Sequence, residues 1–176
     1  MSAIPLDLTD EVFMTGLRTF VLSVLPVGVE CFQGQANRVV EPVGPDFIVM
    51  TPANRMRMAT NVDSYDTTDA APTVLDIAAS TQFSVQLDIH GPNGSDYAQT
   101  IATLFRDEYG CRELDPTGRI APLFADDGKQ MPFINGENQF ENRWVMNLAM
   151  QGSPTISTPQ DFAANVAVTI VPIIGG

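Results

Sequence analysis

The sequence predicts an α+β fold in which a mixed or antiparallel sheet is flanked by two main helices. Two periodicities support this: apolar residues recur at three- and four-residue spacing over 9–25, and they alternate with polar residues over 82–89. The chain order of helix, strands, helix and strands also differs from the βαβ alternation of a doubly wound sheet. The 176 residues, 44% of them hydrophobic, fit a single domain, 1–176, with one packed core.

Two helices are predicted. The first runs from Thr9 to Leu25, with Thr9 as N-cap and Pro26 as the stop. Its buried stripe consists of Val12, Phe13, Leu17, Phe20, Val21 and Val24. The second runs from about residue 95 to 109 and ends at Gly110, which is a typical C-cap residue. Its buried stripe consists of Tyr97, Ile101, Leu104 and Phe105.

Four strands are predicted, at 47–58, 82–89, 143–151 and 162–173. In the first of them Pro52 removes a backbone donor, so we expect a bulge or a sheet edge there. Beyond Pro52 this strand continues with alternating arginine and methionine, namely Arg55, Met56, Arg57 and Met58. The second strand places Phe83, Val85, Leu87 and Ile89 on one face and Gln82, Ser84, Gln86 and Asp88 on the other.

Two segments are predicted to lack regular structure. Residues 111–142 are rich in Pro, Gly, Asp and Asn and are expected to form a long loop region. Loops of this length are usually functional or become ordered on a partner, which favours a role in assembly. Residues 152–159 form a connection that is too long for a tight hairpin.

The charge balance restricts the partners. Nine basic residues against twenty-one acidic ones give a net charge of −12, which repels nucleic-acid phosphates. The same acidity suits a surface past which DNA slides without sticking. Lys129 is the only lysine, against eight arginines. Arginine is enriched at protein interfaces, so this bias indicates contact surface or, equally well, a genomic codon bias.

Motifs for catalysis or tight metal binding are missing from the sequence. His90 is the only histidine, and its position at the end of a strand favours a structural role over a catalytic triad. Cys31 and Cys111 cannot supply a zinc site, and both are expected to be reduced, buried thiols. No phosphate-binding glycine motif occurs. We therefore expect no cofactor.

Carboxylates are the remaining chemistry. Asp115, Asp126, Asp127 and Glu137 lie within the predicted loop region, but without the spacing of a calcium loop, so solvated loop acids are the favoured interpretation. A carboxylate-based hydrolase is the enzyme hypothesis that survives, because the spacing of paired carboxylates depends on the fold. A non-enzymatic protein is the favoured prediction.

Targeting signals also inform the expected location. No stretch approaches the roughly 18 consecutive apolar residues of a membrane span. The N-terminus lacks the basic start and apolar run of a secretory signal, so the protein is expected to stay soluble in the cytoplasm where it is made.

One segment resembles a known family. It reads Gln33-Gly34-Gln35-Ala36-Asn37-Arg38-Val39-Val40-Glu41-Pro42, followed by Pro45-Asp46-Phe47-Ile48-Val49-Met50-Thr51-Pro52. Together with the helix before it, this segment resembles the start of phage neck and tail terminator proteins, the collar components of contractile-tailed bacteriophages. The resemblance covers about the first third of the chain closely, and the later elements only in outline.

The resemblance implies a tail-terminator-like subunit that assembles into a hexameric ring. Such a ring ends the tail tube or sheath, joins it to the head connector and leaves a channel through which DNA passes without specific binding. It implies no catalytic residue and no cofactor, and it places the protein in the virion, at the neck or tail, after assembly in the host cytoplasm.

Within this family, Gln33, Gln35, Asn37 and Arg38 are candidate subunit-interface residues, because their side chains suit polar interface bonds. A plain surface turn is the alternative, since turns favour the same residue types. Residues 111–142 are the second candidate contact, with a neighbouring subunit or an adjoining ring. A different function also remains open, that of a small binding module on the virion surface, which would use the polar face of the strand at 82–89.

Overall fold

The computed structural model describes residues 4–35, 41–66, 74–134 and 140–160. The elements in chain order are α1 (Asp10–Val24), β1 (Glu30–Gln33), β2 (Phe47–Arg57), β3 (Val62–Asp66), β4 (Val74–Ala78), β5 (Thr81–His90), α2 (Gly94–Phe105), α3 (Glu108–Leu114), β6 (Ile120–Ala125), β7 (Lys129–Gln130), β8 (Phe133–Ile134), β9 (Phe140–Glu141), β10 (Arg143–Gly152) and β11 (Thr155–Pro159). Helices and strands are segregated along the chain, which confirms the predicted α+β class.

The first helix follows its sequence pattern closely. Thr9 is the N-cap and has an extended backbone, and Asp10 and Glu11 occupy the first turn. Acidic side chains there interact favourably with the positive end of the helix dipole. The buried residues of α1 are Phe13, Met14, Leu17, Phe20 and Val21. The predicted helix is confirmed, with one residue fewer at each end.

The main sheet has the strand order β1-β2-β5-β10-β6, and β7 pairs with β10 as a sixth strand. β1 pairs with β2 in parallel, and the other strands are antiparallel, so the sheet is mixed, as predicted. The register between β2 and β5 shifts between Pro52 and Asn54. This confirms the irregularity predicted at Pro52, which has no N–H for the ladder.

The core lies between the helices and one face of the main sheet. Val85, Leu87 and Ile89 of β5 are completely buried on that face. The Phe13 ring of α1 stacks on Phe83 of β5, with 4.9 Å between ring centroids. The alternation predicted for β5 is therefore confirmed: one face of the strand is covered by the helices, and the other bears the polar residues.

A smaller antiparallel sheet has the order β11-β4-β3. Its central strand, β4, contains no buried residue, since all five of its residues are half-buried. The bridge between Leu6 and Ile156 connects the N-terminal segment to this sheet. β8 and β9 form a separate two-stranded pair.

The second predicted helix is wrong in its extent, because the structure contains two helices in its place. α2 ends at Phe105 and α3 begins at Glu108. The Asp107 side chain accepts a hydrogen bond from the backbone N–H of Tyr109 and so caps a new helix. Gly110 is a buried residue inside α3 and not a C-cap, and a Cβ there would lie 2.5 Å from the Phe105 carbonyl oxygen.

The segment 111–142 is not the long loop region that its composition predicts. It contains the end of α3, then β6 and β7, then β8 and β9. The connection at 152–159 likewise contains β11, which pairs with β4. β6 and β7 pair with β10, and β11 pairs with β4, so these strands depend on partners outside their own segments, which local composition does not reveal. The predicted strand at 162–173 lies outside the described residues, and a single domain spanning 1–176 remains a prediction.

Candidate functional site

Two of the four candidate interface residues lie at an edge of the main sheet. Gln33 is the last residue of β1, the outermost strand on that side, and Gln35 follows in the turn. Both side chains are exposed, and Gln35 has a φ of 60°. Asn37 and Arg38 lie outside the described residues. Gln33 and Gln35 are therefore accessible, as an interface requires, but their role in a contact remains a prediction.

The turn at this edge requires glycine at position 34. The N–H of Gly34 donates to the carbonyl oxygen of Met50 at 2.7 Å, which extends the pairing of β1 with β2. A Cβ at this position would lie 2.3 Å from the Thr51 hydroxyl oxygen. The turn is therefore packed closely against β2.

The face of the main sheet opposite the helices carries an aromatic group at one end. His90 stacks on Phe47 with 4.5 Å between ring centroids, and Phe47 meets Phe32 edge-on at 6.5 Å. Burial, together with the positive charge of Arg143, lowers the pKa of His90 below its ordinary value of 6.5. His90 is therefore part of an aromatic stack, which favours a structural role for this residue, and that role stays a prediction.

A polar network occupies the centre of the same face. Arg143 donates to one Asp88 carboxylate oxygen from Nε at 2.9 Å and from Nη2 at 2.5 Å. Gln86 donates to both oxygens of Asp88, and Gln82 donates to the Ser84 hydroxyl. The four polar residues predicted to share one face do share it, but they bond to one another and to Arg143. This arrangement favours a structural role over a binding surface.

The described residues contain no cluster of three or more His, Cys, Asp or Glu side chains that could hold a metal ion. Cys31 is buried, and burial raises the pKa of its thiol to about 12. Cys111 is exposed, so the prediction of two buried thiols is right for Cys31 and wrong for Cys111. Both are free thiols.

None of the described helices is long and apolar enough to cross a membrane.

The loop acids are explained in part by local structure. Asp115 accepts hydrogen bonds from the Thr117 hydroxyl and from the backbone N–H groups of Thr117, Arg119 and Ile120. Burial alone would raise the pKa of Asp115, but these bonds and the Arg119 charge lower it instead. Asp126 accepts from the Asn147 amide at 2.8 Å, and Glu137 lies outside the described residues. Asp115 therefore organises the turn that connects α3 to β6.

An apolar groove between α1 and α3 was not predicted from the sequence. Its volume is about 420 Å³, within the size range of ligand pockets. Gly16 allows α3 to approach closely, because a Cβ there would lie 2.6 Å from the Leu114 carbonyl oxygen. The groove is lined by Glu11, Val12, Thr15, Gly16, Thr19, Glu113, Leu114, Asp115, Pro116, Arg119 and Ile120. Its lining therefore combines apolar residues with three carboxylates and one guanidinium.

The exposed arm is formed by residues 54–58, the end of β2 and the residue after it, where the sequence predicted that the strand continues with alternating arginine and methionine. Met56 and Met58 are 51% and 45% exposed. Arg55 is held in place by an ion pair with Asp10 and lies over the Phe13 ring. Arg57 bonds only to neutral acceptors in the described structure, namely the Ala59 carbonyl and the Asn61 side chain. The alternation of Arg and Met was the sequence signal for this arm.

Comparison with known proteins identifies the family. No curated protein matches the chain. A family model described as phage neck terminator protein matches residues 11–174, which is nearly the whole chain. This match includes all but the first residue of α1 and the segment after it that carried the resemblance. The chain therefore belongs to the phage neck terminator protein family.

Proposed function

We propose that this chain forms a closed ring at the head-proximal end of a contractile phage tail. The ring ends the tail tube or sheath, joins it to the head connector and leaves a channel for DNA. The observation that carries this proposal is the family match over residues 11–174. The role is structural, without catalysis or cofactor, and the ring assembles in the host cytoplasm before it enters the virion.

Exposed apolar side chains at the periphery support an assembly role. One group comprises Met131, Ile134 and Phe140 around the β8–β9 pair, of which Phe140 is 79% exposed. A second group comprises Met56, Met58, Val62, Tyr65 and Ile156, around the arm and the small sheet. Apolar groups exposed to water on a monomer are stabilised when an assembly partner covers them. We assign the β8–β9 pair to the adjoining tube, sheath or connector protein.

The acidic character of the chain supports the DNA channel. A formal net charge of −12 on each subunit gives a ring of subunits a strong negative field. DNA phosphates are repelled by such a lining, so that DNA passes through without the phosphate contacts that would hold it. In this proposal six subunits close the ring, and Gln33, Gln35, Asn37 and Arg38 contribute polar contacts between subunits.

Electron microscopy of the purified full-length chain, alone and mixed with purified tails, tests the ring directly. We expect closed rings, or ring-shaped density at the head-proximal end of each tail. A chain that stays monomeric at high concentration and adds no ring to tails would overturn the proposed function.

The channel is tested by infectivity. Replacing sets of exposed acidic residues with lysine should lower infectivity while the rings still assemble, because lysines in the lining would bind passing DNA. Replacing the same residues with Asn or Gln is the matched control, because it removes charge without adding phosphate-binding groups. Unchanged infectivity for every lysine set would contradict the channel lining.

A further inference from the structure

The groove and the arm lie on either side of α1, since Asp10 pairs with Arg55 of the arm while Glu11 and Val12 line the groove. The groove lies next to β6, which is one edge of the main sheet. The arm is the part of β2 beyond its pairing with β1, which extends only to Met50, so the arm lies at the opposite edge. Two different surfaces of one chain that fit each other make head-to-tail contacts, and such contacts close into rings when the rotation between copies allows it.

Given the ring proposed above, on which this inference rests, we propose that the arm of one copy docks in the groove of the next. The alternation of a strand places Met56 and Met58 on one side and Arg55 and Arg57 on the other. Methionine is flexible and fills irregular apolar spaces well. The two methionines therefore enter the groove, where Leu114 and Ile120 form a buried apolar floor.

Charge complementarity indicates which surface of one copy contacts which surface of the next. Two copies that each carry a net charge of −12 repel one another, so a contact that pairs a cationic region with an anionic one is favoured. Residues 53–61 contain two arginines and no acid, and of the two arginines Arg55 already pairs with Asp10 of the same copy. The groove is lined by Glu11, Glu113 and Asp115 against Arg119 alone. The arm is therefore the complementary partner for the groove.

The charged side chains that lack an ion-pair partner in the described structure are also of opposite sign on the two surfaces. The negative charge of Asp115 is compensated by the hydrogen bonds of its own turn and by Arg119 at 3.6 Å, and Glu113 accepts from the exposed Arg112. Glu11 has no ion-pair partner within the described part of the chain, and Arg57 has no carboxylate partner there. In the docked state Arg57, on the side of the arm that faces away from the groove floor, pairs with the exposed Glu11 of the next copy.

A disulfide test locates the contact. In a Cys111→Ser background we would introduce Thr15→Cys in the groove and Met58→Cys on the arm of the full-length chain, then oxidise. Head-to-tail docking should give a ladder of covalent oligomers that ends at the subunit number of the ring. A mixture of the two single-cysteine variants should give covalent dimers only, because each copy then carries one of the two reactive positions.

The matched control pairs Thr15→Cys with Val43→Cys, since Val43 is 90% exposed and outside the arm. A ladder from the Thr15–Met58 pair that the control does not give supports the docking. Absence of that ladder while electron microscopy still shows rings overturns the docking and leaves the ring proposal intact. Absence of rings from the unmodified chain and from its mixture with tails overturns the ring, and the docking with it.

A charge-reversal pair provides an independent test by sedimentation. Arg57→Glu and Glu11→Arg should each weaken association on the order of tenfold, because each places like charges together, and the double variant should restore it. Arg106→Glu is the control, since Arg106 is an exposed arginine outside both surfaces. A double variant that associates no better than the single variants would contradict the pairing of Arg57 with Glu11.

Discussion

The two larger sheets of this molecule have similar backbone pairing but very different burial. In the main sheet, β5 is a central strand, and Val85, Leu87 and Ile89 are completely buried under the helices. In the small sheet, β4 is also a central strand, yet none of its five residues is buried. Tyr65 and Ile156, on the neighbouring strands, are 54% and 39% exposed.

This difference shows that strand pairing and core formation are separate contributions to the stability of a sheet. Small sheets need an apolar face that is covered, or a helix packed on them, before they are stable on their own. The main sheet has that cover within the chain. The small sheet presents Tyr65, Leu75, Ile77 and Ile156 on one face, because Tyr65 pairs with Leu75 and Ile77 with Ile156. Leu75 and Ile77 on that face are half-buried in the monomer, and the face is suited to further burial on assembly.

The largest expected effect is in the helix-covered core. Phe20 is completely buried and meets Phe105 edge-on at 5.4 Å. Phe20→Ala should lower the free energy of unfolding by about 3–5 kcal/mol, since it leaves a cavity between α1 and α2. Chemical denaturation would measure it. Phe140→Ala is the matched control, because Phe140 is 79% exposed. Equal losses of unfolding free energy for the two variants would show that the burial of Phe20 does not stabilise the fold.

A smaller loss is expected on the uncovered face of the main sheet. Asp88→Ala should cost about 2 kcal/mol, because Arg143 and Gln86 lose their shared acceptor. The Asp88→Ala and Arg143→Ala double variant should lose less than the sum of the single variants, since the two residues interact directly. Asp76→Ala is the control from the small sheet, where Asp76 accepts from Ser157 at an exposed site. Additive losses would show that Asp88 and Arg143 act independently.

The small sheet should respond weakly in the monomer. Ile77→Ala should cost about 1 kcal/mol or less in the isolated chain, because the Ile77 side chain is only half-buried. Val85→Ala, in the completely buried β5, is the comparison and should cost at least twice as much. Hydrogen exchange of the β4 amides should be faster than that of the β5 amides. Similar protection of the two strands in the monomer would contradict the distinction drawn between the sheets.

The smallest effect concerns pH. The folded-state pKa of His90 lies below its ordinary value of 6.5, so the unfolded chain binds the proton more readily. Its contribution to stability is therefore fully present above pH 6.5 and is lost as the pH falls towards the lower folded pKa. The effect should be small, because solvent screens this half-buried ring.

Since His90 is the only histidine, a single imidazole NMR signal reports its titration without mutagenesis. His90→Gln should flatten the pH dependence of unfolding just below pH 6.5. A folded-state pKa at or above 6.5 would contradict this prediction.

The sequence predicted those elements whose pattern is local. The α1 stripe, the alternation of β5, the strand β10 and the irregularity at Pro52 are all confirmed. Each of them leaves a period in the sequence, because burial of one face repeats every 3.6 or 2 residues. The break between α2 and α3 depends on a single cap at Asp107, and the apolar periodicity of the sequence did not predict it.

The candidate site was less predictable than the fold. The resemblance over 33–52 pointed to the correct family, and Gln33 and Gln35 are exposed as an interface requires. The groove was missed because its walls, α1 and α3 with the start of β6, are about a hundred residues apart in sequence. Its apolar residues appear in the sequence as ordinary core positions.

The sequence by itself determined the α+β class, the acidic surface and the family to which the chain belongs. Only the tertiary structure decided that 120–125 and 155–159 are strands, since each is short and is stabilised by backbone bonds to a partner far along the chain. Tertiary structure also decided which apolar residues are covered. Burial depends on what the fold brings alongside a side chain, and periodicity records only that one face differs from the other.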